Sequence, residues 1–210
     1  MAFVITVTQQ KGGAGKTMLA ANLAAAWAPN LRVAVLDIDP QRSLSRWHAM
    51  RAGNARALGP ITLSEVAGWR LAAELDRLRQ KHDIVVIDSP PQIDTEAKLA
   101  VRGADLVLVP VQPSLPDLWA AEGTLKLAAL ERRTAWIVLN RAPAGGALRA
   151  RVSAAIDAGQ AVCCSSVIGN RIGFANAFAI GLGVTEQAPR SLGGQEIAAL
   201  LAEIAGYAGL

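Results

Sequence analysis

Phe3-Val4-Ile5-Thr6-Val7-Thr8-Gln9-Gln10-Lys11-Gly12-Gly13-Ala14-Gly15-Lys16-Thr17 is the stretch that decides the fold. Its first six residues are apolar or β-branched, and the Ala/Leu-rich run from Thr17 to Ala28 has helical spacing, so a strand leads through a glycine loop into a helix. In that setting Gly12, Gly13, Ala14 and Gly15 let the backbone wrap closely around phosphate oxygens. Lys16 reaches the outer phosphates and the Thr17 hydroxyl can ligate magnesium. The start of the helix, through Met18, adds its partial positive charge. The ligand expected from these residue types is a nucleoside triphosphate with Mg2+.

The same alternation continues outward from the loop. Strands are expected at Arg32 to Asp37, Asp83 to Asp88, Leu106 to Pro110 and Ala135 to Asn140, with a weaker one near Ala161 to Val167. Helices are expected at Ser43 to Arg51, Trp69 to Gln80, Asp94 to Val101, Pro116 to Leu130, Leu148 to Ala158, Arg171 to Ile180 and Gly194 to Ala205. Gly53 to Gly68 is the least regular stretch. The runs Val33 to Leu36, Ile84 to Ile87 and Leu106 to Val109 are continuously apolar, as parallel strands covered on both faces must be. The order predicts an α/β fold with a doubly wound, mainly parallel sheet and helices on both faces, formed by a single domain over residues 1–210.

Ligands of such sheets lie beyond the carboxyl ends of the strands, which directs attention to Asp37, Asp39, Asp88 and Asn140. Alternation along an extended segment puts the carboxylates of Asp37 and Asp39 on one side. Asp88 closes an apolar run, where a hard carboxylate can hold Mg2+ through water. Taken singly, each of the three has a helix-capping or loop-closing alternative.

Composition narrows the classes. Apolar residues make up 52% and charged residues 18% of the 210, a folded composition without an apolar run long enough for a membrane span. The N-terminus shows no export signal, so cytoplasm is the expected compartment. Cys163 and Cys164 are adjacent, which suits neither an ordinary disulfide nor a chelating pair, and they read as small core residues. The net charge is +4, and sixteen of the 21 basic residues are arginines, a bias suited to phosphate contacts.

Lys11 occupies the position where an ordinary Walker A loop has glycine. With Lys11 to Thr17 reading Lys-Gly-Gly-Ala-Gly-Lys-Thr, the sequence resembles the deviant Walker A family of ATPases. The likeness extends to Asp37-Ile38-Asp39-Pro40-Gln41, Val109-Pro110-Val111-Gln112-Pro113-Ser114, Asn140-Arg141, Arg171 to Gly183 and Ala188 to Ser191, and so spans nearly the whole chain. It is nearest to the small ParA-type partition ATPases that lack an N-terminal DNA-binding extension.

The resemblance implies ATP and Mg2+ as cofactors and a homodimer in the ATP state. Lys11, Lys16 and Asp39 would be catalytic, Asp39 by positioning the attacking water. Lys11 would cross to the partner's phosphates, or else contact only its own nucleotide. Asp37 and Asp88, with Thr17, would hold magnesium or its water. Asn140 and Arg141 would meet the adenine, with Pro110 close to the base and the dimer interface. The implied function is nonspecific DNA binding by the dimer and release when a centromere-bound or cargo-bound adaptor stimulates hydrolysis. The result is partition of a plasmid or chromosome, or positioning of a protein cargo, by a protein that is nucleoid-associated in the ATP state. Candidate DNA contacts are Arg132, Arg133, Arg149, Arg151, Arg171 and Arg190.

Other members of the class fit less well. A membrane-positioning ATPase needs a basic amphipathic terminal helix, whereas Glu196 to Ile204 is acidic. An iron–sulfur electron carrier needs separated cysteines. A biosynthetic amidase needs a nucleophile pair, and His48 and His82 read as surface helix residues.

Overall fold

The computed structural model describes all residues except 67–69, 92–94, 144–149, 151, 153, 155 and 157–160. Seven strands form one sheet: β1 (Phe3–Val7), β2 (Val33–Asp37), β3 (Ile61–Ser64), β4 (Ile84–Asp88), β5 (Leu106–Val111), β6 (Thr134–Ala142) and β7 (Cys163–Gly169). Their spatial order is β3-β2-β4-β1-β5-β6-β7, and each pairing is parallel. Described helices are α1 (Lys16–Trp27), α2 (Ser43–Ala52), α3 (Leu71–Lys81), α4 (Thr95–Gly103), α5 (Leu115–Leu130), α6 (Ile172–Phe178), α7 (Val184–Gln187) and α8 (Leu192–Ala208).

The apolar strands are buried on both faces because successive side chains alternate between two cores. Ile5, Val7, Val33, Val35, Val86 and Leu108 face α1, α2, α6 and α8. Val4, Leu36, Val85 and Ile87 face Leu71, Leu75 and Leu78 of α3 and Ala100 of α4. Farther along the sheet, Val107, Val109 and Ile137 meet Ala121 and Leu127 of α5, with Val152 and Ile156. Each fully buried Val, Ile or Leu contributes about 1.5–3 kcal/mol by leaving water.

A polar tie holds the α2 side together. Arg51 at the end of α2 makes paired hydrogen bonds of 2.7 Å to both oxygens of Glu186 in α7. Glu186 also accepts the N–H groups of Leu58 and Gly183, so its carboxylate is well satisfied, while Arg51 Nε is buried without a partner.

Some expectations shift. Ile61–Ser64 forms an edge strand inside the stretch read as least regular, and α7 follows the expected helix at Arg171 to Ile180. Trp69, Asp94 and most of the expected helix Leu148 to Ala158 lie outside the described residues. Cys164 is buried and Cys163 half-buried in β7. His48 and His82 are not free surface residues: the His48 ring bonds the Ile61 carbonyl, and His82 ends α3 bonded to the Thr62 hydroxyl.

Register positions the site. Val7 of β1 and Asp37 of β2 both pair with Asp88 of β4, so three strands end at one level, with the glycine loop leaving directly above them.

Candidate functional site

The loop leaving β1 is shaped by two left-handed glycines, Gly13 (φ 81°) and Gly15 (φ 92°), the second serving as the N-cap of α1. A Cβ on Gly15 would also run into the Asn140 side chain. From outside, Asn140 Nδ2 donates to the Ala14 carbonyl at 2.8 Å, while Gln112 Nε2 and Arg141 Nη1 both donate to the Gly13 carbonyl, at 3.1 and 3.2 Å. The loop's outward carbonyls are thus engaged. None of the N–H groups from Gly12 to Met18 donates to a protein acceptor among the described residues. A run of free donors at a helix N-terminus, beside a buried lysine, fits a polyphosphate.

Lys16 is buried at the mouth of this cradle. Burial lowers its pKa, and the neighbouring Asp88 and Asp39 act in the opposite direction. Asp88 is wholly buried, and neither carboxylate oxygen has a hydrogen-bond partner. Its pKa is pushed up to about 8, first by burial; the nearby Thr17 hydroxyl tempers the effect, Asp37 and Asp39 add to it, and Lys16 opposes it. An orphaned buried carboxylate beside the Thr17 hydroxyl suits a hard cation shared with phosphates. No group of three or more His, Cys, Asp or Glu side chains able to hold a metal by themselves occurs among the described residues.

Asp37 differs from Asp88 in having donors. Its Oδ2 accepts the Ser45 N–H at 2.8 Å and the Ser45 hydroxyl at 2.7 Å, and its Oδ1 accepts the Asp39 N–H at 3.2 Å. The capping use open from the sequence is therefore real for Asp37: it caps α2 from the strand. Asp39 sits in the turn beyond, its Oδ1 taking the Gln41 N–H at 2.9 Å, and borders the cavity near Lys16.

Lys11 points elsewhere. Its ammonium pairs at 2.5 Å with Asp117 Oδ2 in the first turn of α5, and the Ser114 hydroxyl donates to the same oxygen. The Lys11 side chain is 42% exposed and Asp117 only 4%. Lys11 is not among the residues bordering the cavity of about 770 Å³ that opens from the glycine loop.

That cavity runs from Gly12, Lys16 and Asp39 past Met18 to an apolar limb at Ile168, Ile172 and Phe178, rimmed by Asn170 and Arg171. Arg171 is held by Glu196 of α8 through Nε (3.0 Å) and Nη2 (2.5 Å), and Glu196 also accepts the Gly169 N–H at 3.1 Å. Pro110 lies buried within β5 and does not border the cavity. Asn140 does border it, although its amide is engaged with Ala14 and its Oδ1 with the Arg141 N–H.

The arginine candidates do not form one patch. Arg132 and Arg133 follow α5, where the Thr134 hydroxyl meets Tyr207 near the end of α8, whereas Arg190 precedes the start of that helix, about 25 Å away at 1.5 Å per residue. Arg171 is committed to Glu196, and Arg149 and Arg151 lie outside the described residues. Asp117, Ser45 and Asn170 are site residues the sequence reading missed. Ser114-Leu115-Pro116-Asp117 carries a helix-start signal, but nothing local ties it to Lys11, 106 residues away.

The family described as the CobQ/CobB/MinD/ParA nucleotide binding domain matches residues 5–206. The Maintenance of carboxysome distribution protein A of Halothiobacillus neapolitanus is 30% identical over 200 residues, covering 90% of this chain and 89% of the relative. Protein ParA of Rhizobium radiobacter is 32% identical over 137 residues, 61% of this chain and 57% of that protein. Among solved structures, a putative plasmid partition protein of Borrelia burgdorferi bound to AMPPNP superposes with a TM-score of 0.80 at 16% identity, over 99% of this chain and all of the other. At that identity the likeness concerns the fold. No helix among the described residues is long and apolar enough to cross a membrane.

Proposed function

The chain belongs to the CobQ/CobB/MinD/ParA nucleotide-binding family, and from that premise we propose that it is a ParA-type ATPase whose ATP state is a DNA-binding homodimer. The cycle ends when an adaptor protein stimulates hydrolysis. The observation that carries this reading is Lys11, which stands off its own phosphate cradle, half exposed and paired with Asp117. A lysine so placed can exchange its carboxylate for the polyphosphate of a second subunit, a charge-assisted hydrogen bond that disappears when the γ-phosphate leaves.

Within one subunit the free N–H groups of residues 12–18 and the Lys16 ammonium bind and orient the triphosphate. Thr17 and Asp88 would hold magnesium, and Asp37 its water. Bound magnesium supplies charge neutralisation across the phosphate oxygens. Asp39, beside Lys16 at the cavity, would orient the attacking water. Adenine takes the cavity's apolar limb, past Asn140 and Arg141.

For cargo we favour a protein assembly, because the carboxysome-distribution relative matches nearly end to end. Partition of a plasmid or chromosome is the second reading, supported by the likeness to Protein ParA. Both require the same switch. Sedimentation with a nonhydrolysable ATP analogue, Mg2+ and duplex DNA of arbitrary sequence tests it: a dimer on DNA with the analogue and a free monomer with ADP are expected. A persistent monomer sinks the proposal. Lys16→Ala should abolish nucleotide binding, and Asp39→Ala should hold the ATP dimer by slowing turnover.

A further inference from the structure

The turn that carries Asp39 has an unusual foundation. Arg42 is a non-glycine residue in the left-handed region (φ 53°) at the N-cap position of α2, and it supplies no side-chain cap. Such a conformation costs about 1–3 kcal/mol and persists only where surrounding contacts fix it. The contacts here are few and identifiable. The Arg42 N–H bonds the Asp39 carbonyl at 2.9 Å, its guanidinium reaches the Asp37 carbonyl at 3.3 Å, and the Asp39 N–H bonds Asp37 Oδ1 at 3.2 Å. Within the turn the Gln41 N–H also bonds Asp39 Oδ1 at 2.9 Å, and Arg42 lies 3.8 Å from Glu65 Oε2; the link from the turn to the strand end is the Asp37 carboxylate, whose orientation is set from the other side by Ser45, whose N–H and hydroxyl both grip Oδ2.

We propose that Ser45 is a positioning residue for ATP hydrolysis: its hydroxyl fixes the Asp37 carboxylate, which in turn fixes the Asp39 backbone and so places the Asp39 side chain at the cavity. Ser45 does not border the cavity, and its hydroxyl is committed to Asp37. Its geometry matches a relay, with a hydroxyl donor at 2.7 Å to a fully buried carboxylate whose second oxygen holds the N–H of the residue two positions on. Asp37 Oδ2 already caps the Ser45 N–H in the first turn of α2, leaving the hydroxyl redundant for capping but not as an orienting group. This assignment rests on the ATPase reading given above.

The test uses the full chain with Ser45→Ala and Ser45→Thr variants, measuring kcat and KM for Mg-ATP together with ADP affinity. Losing one hydrogen bond to a charged group predicts kcat about tenfold lower in Ser45→Ala, with KM and ADP affinity within about twofold. Ser45→Thr, which keeps the hydroxyl, should recover most of the rate. An active wild type whose Ser45→Ala variant retains kcat overturns the assignment alone. Parallel loss of ADP affinity and kcat marks a merely structural role and overturns it too, as does a Ser45→Thr variant as slow as Ser45→Ala. A wild type without ATPase activity under conditions where it binds ADP overturns the functional reading and this assignment with it.

Discussion

Oδ2 of Asp117 accepts both the Ser114 hydroxyl and the Lys11 ammonium, while its Oδ1 is buried without a partner. Asp117→Asn keeps the side-chain shape but removes the charge that holds Lys11. A partly exposed ion pair of this kind is worth up to about 1 kcal/mol and a symmetric dimer releases two of them, so the ATP-analogue dimer should form at up to roughly thirtyfold lower protein concentration, read by sedimentation equilibrium. An unchanged or weaker dimer would separate Asp117 from the association step. Asp83 offers a pH-dependent counterpart remote from the site. Hydrogen bonds from the Arg32 guanidinium, then from its N–H, hold the Asp83 carboxyl at about 2, below its usual value near 4. A depressed folded-state pKa contributes stability above the unfolded value, and that stability is lost as pH falls from near 4 toward 2. Asp83→Asn should therefore be less stable than wild type at neutral pH, with the difference shrinking over that acid window in thermal melts.

The tie between α2 and α7 is where an element-scale change should act most strongly. Removing Glu186 leaves Arg51 buried and unpaired and orphans the N–H groups of Leu58 and Gly183, so Glu186→Ala should cost about 3–5 kcal/mol in urea unfolding. If Glu186→Ala lost less than about 1 kcal/mol, the pair would be dispensable. Neither partner was legible in the sequence, because a charge pair across 135 residues leaves no local pattern. Strands β2, β4 and β5 were legible as continuous apolar runs buried on both faces, and β1 as a largely apolar, β-branched run leading into the glycine loop. The edge strand β3 was not: Ile61-Thr62-Leu63-Ser64 is four residues long and pairs only with β2. At the site, the glycine loop, Lys16 and the three aspartates could be named because motif spacing is local. What each aspartate bonds could not, since Asp37 and Asp88 differ only in what the fold brings to them. Gly15 joins the two levels: Gly15→Ala meets both the left-handed backbone and the Asn140 amide, and should weaken nucleotide affinity at least about tenfold in equilibrium titration.

At the scale of the whole molecule, the unpaired atoms gather at one end of the sheet. Free N–H groups from Gly12 to Met18, the buried Lys16 ammonium and the partnerless Asp88 carboxylate all sit where β1, β2 and β4 finish in register. Lys16 and Asp88 are buried there without full compensation, while the loop from Gly12 stays open to a ligand, so a ligand that satisfies these groups stabilises the entire cooperative unit. At a Mg-ATP-analogue concentration 100 times Kd the gain is about 2.7 kcal/mol, which for a chain of this size raises Tm by about 5–10 °C. The two components should separate in such melts. Chelator alone should leave the free protein unchanged, because no self-sufficient metal cluster exists among the described residues. Nucleotide with chelator should give a smaller shift than nucleotide with Mg2+, because without the cation nothing links the phosphate oxygens to the buried Asp88 carboxyl. Equal shifts with and without Mg2+ would remove Asp88 and Thr17 from the cation site, leaving the cradle of residues 12–18 as the sole source of nucleotide-linked stability.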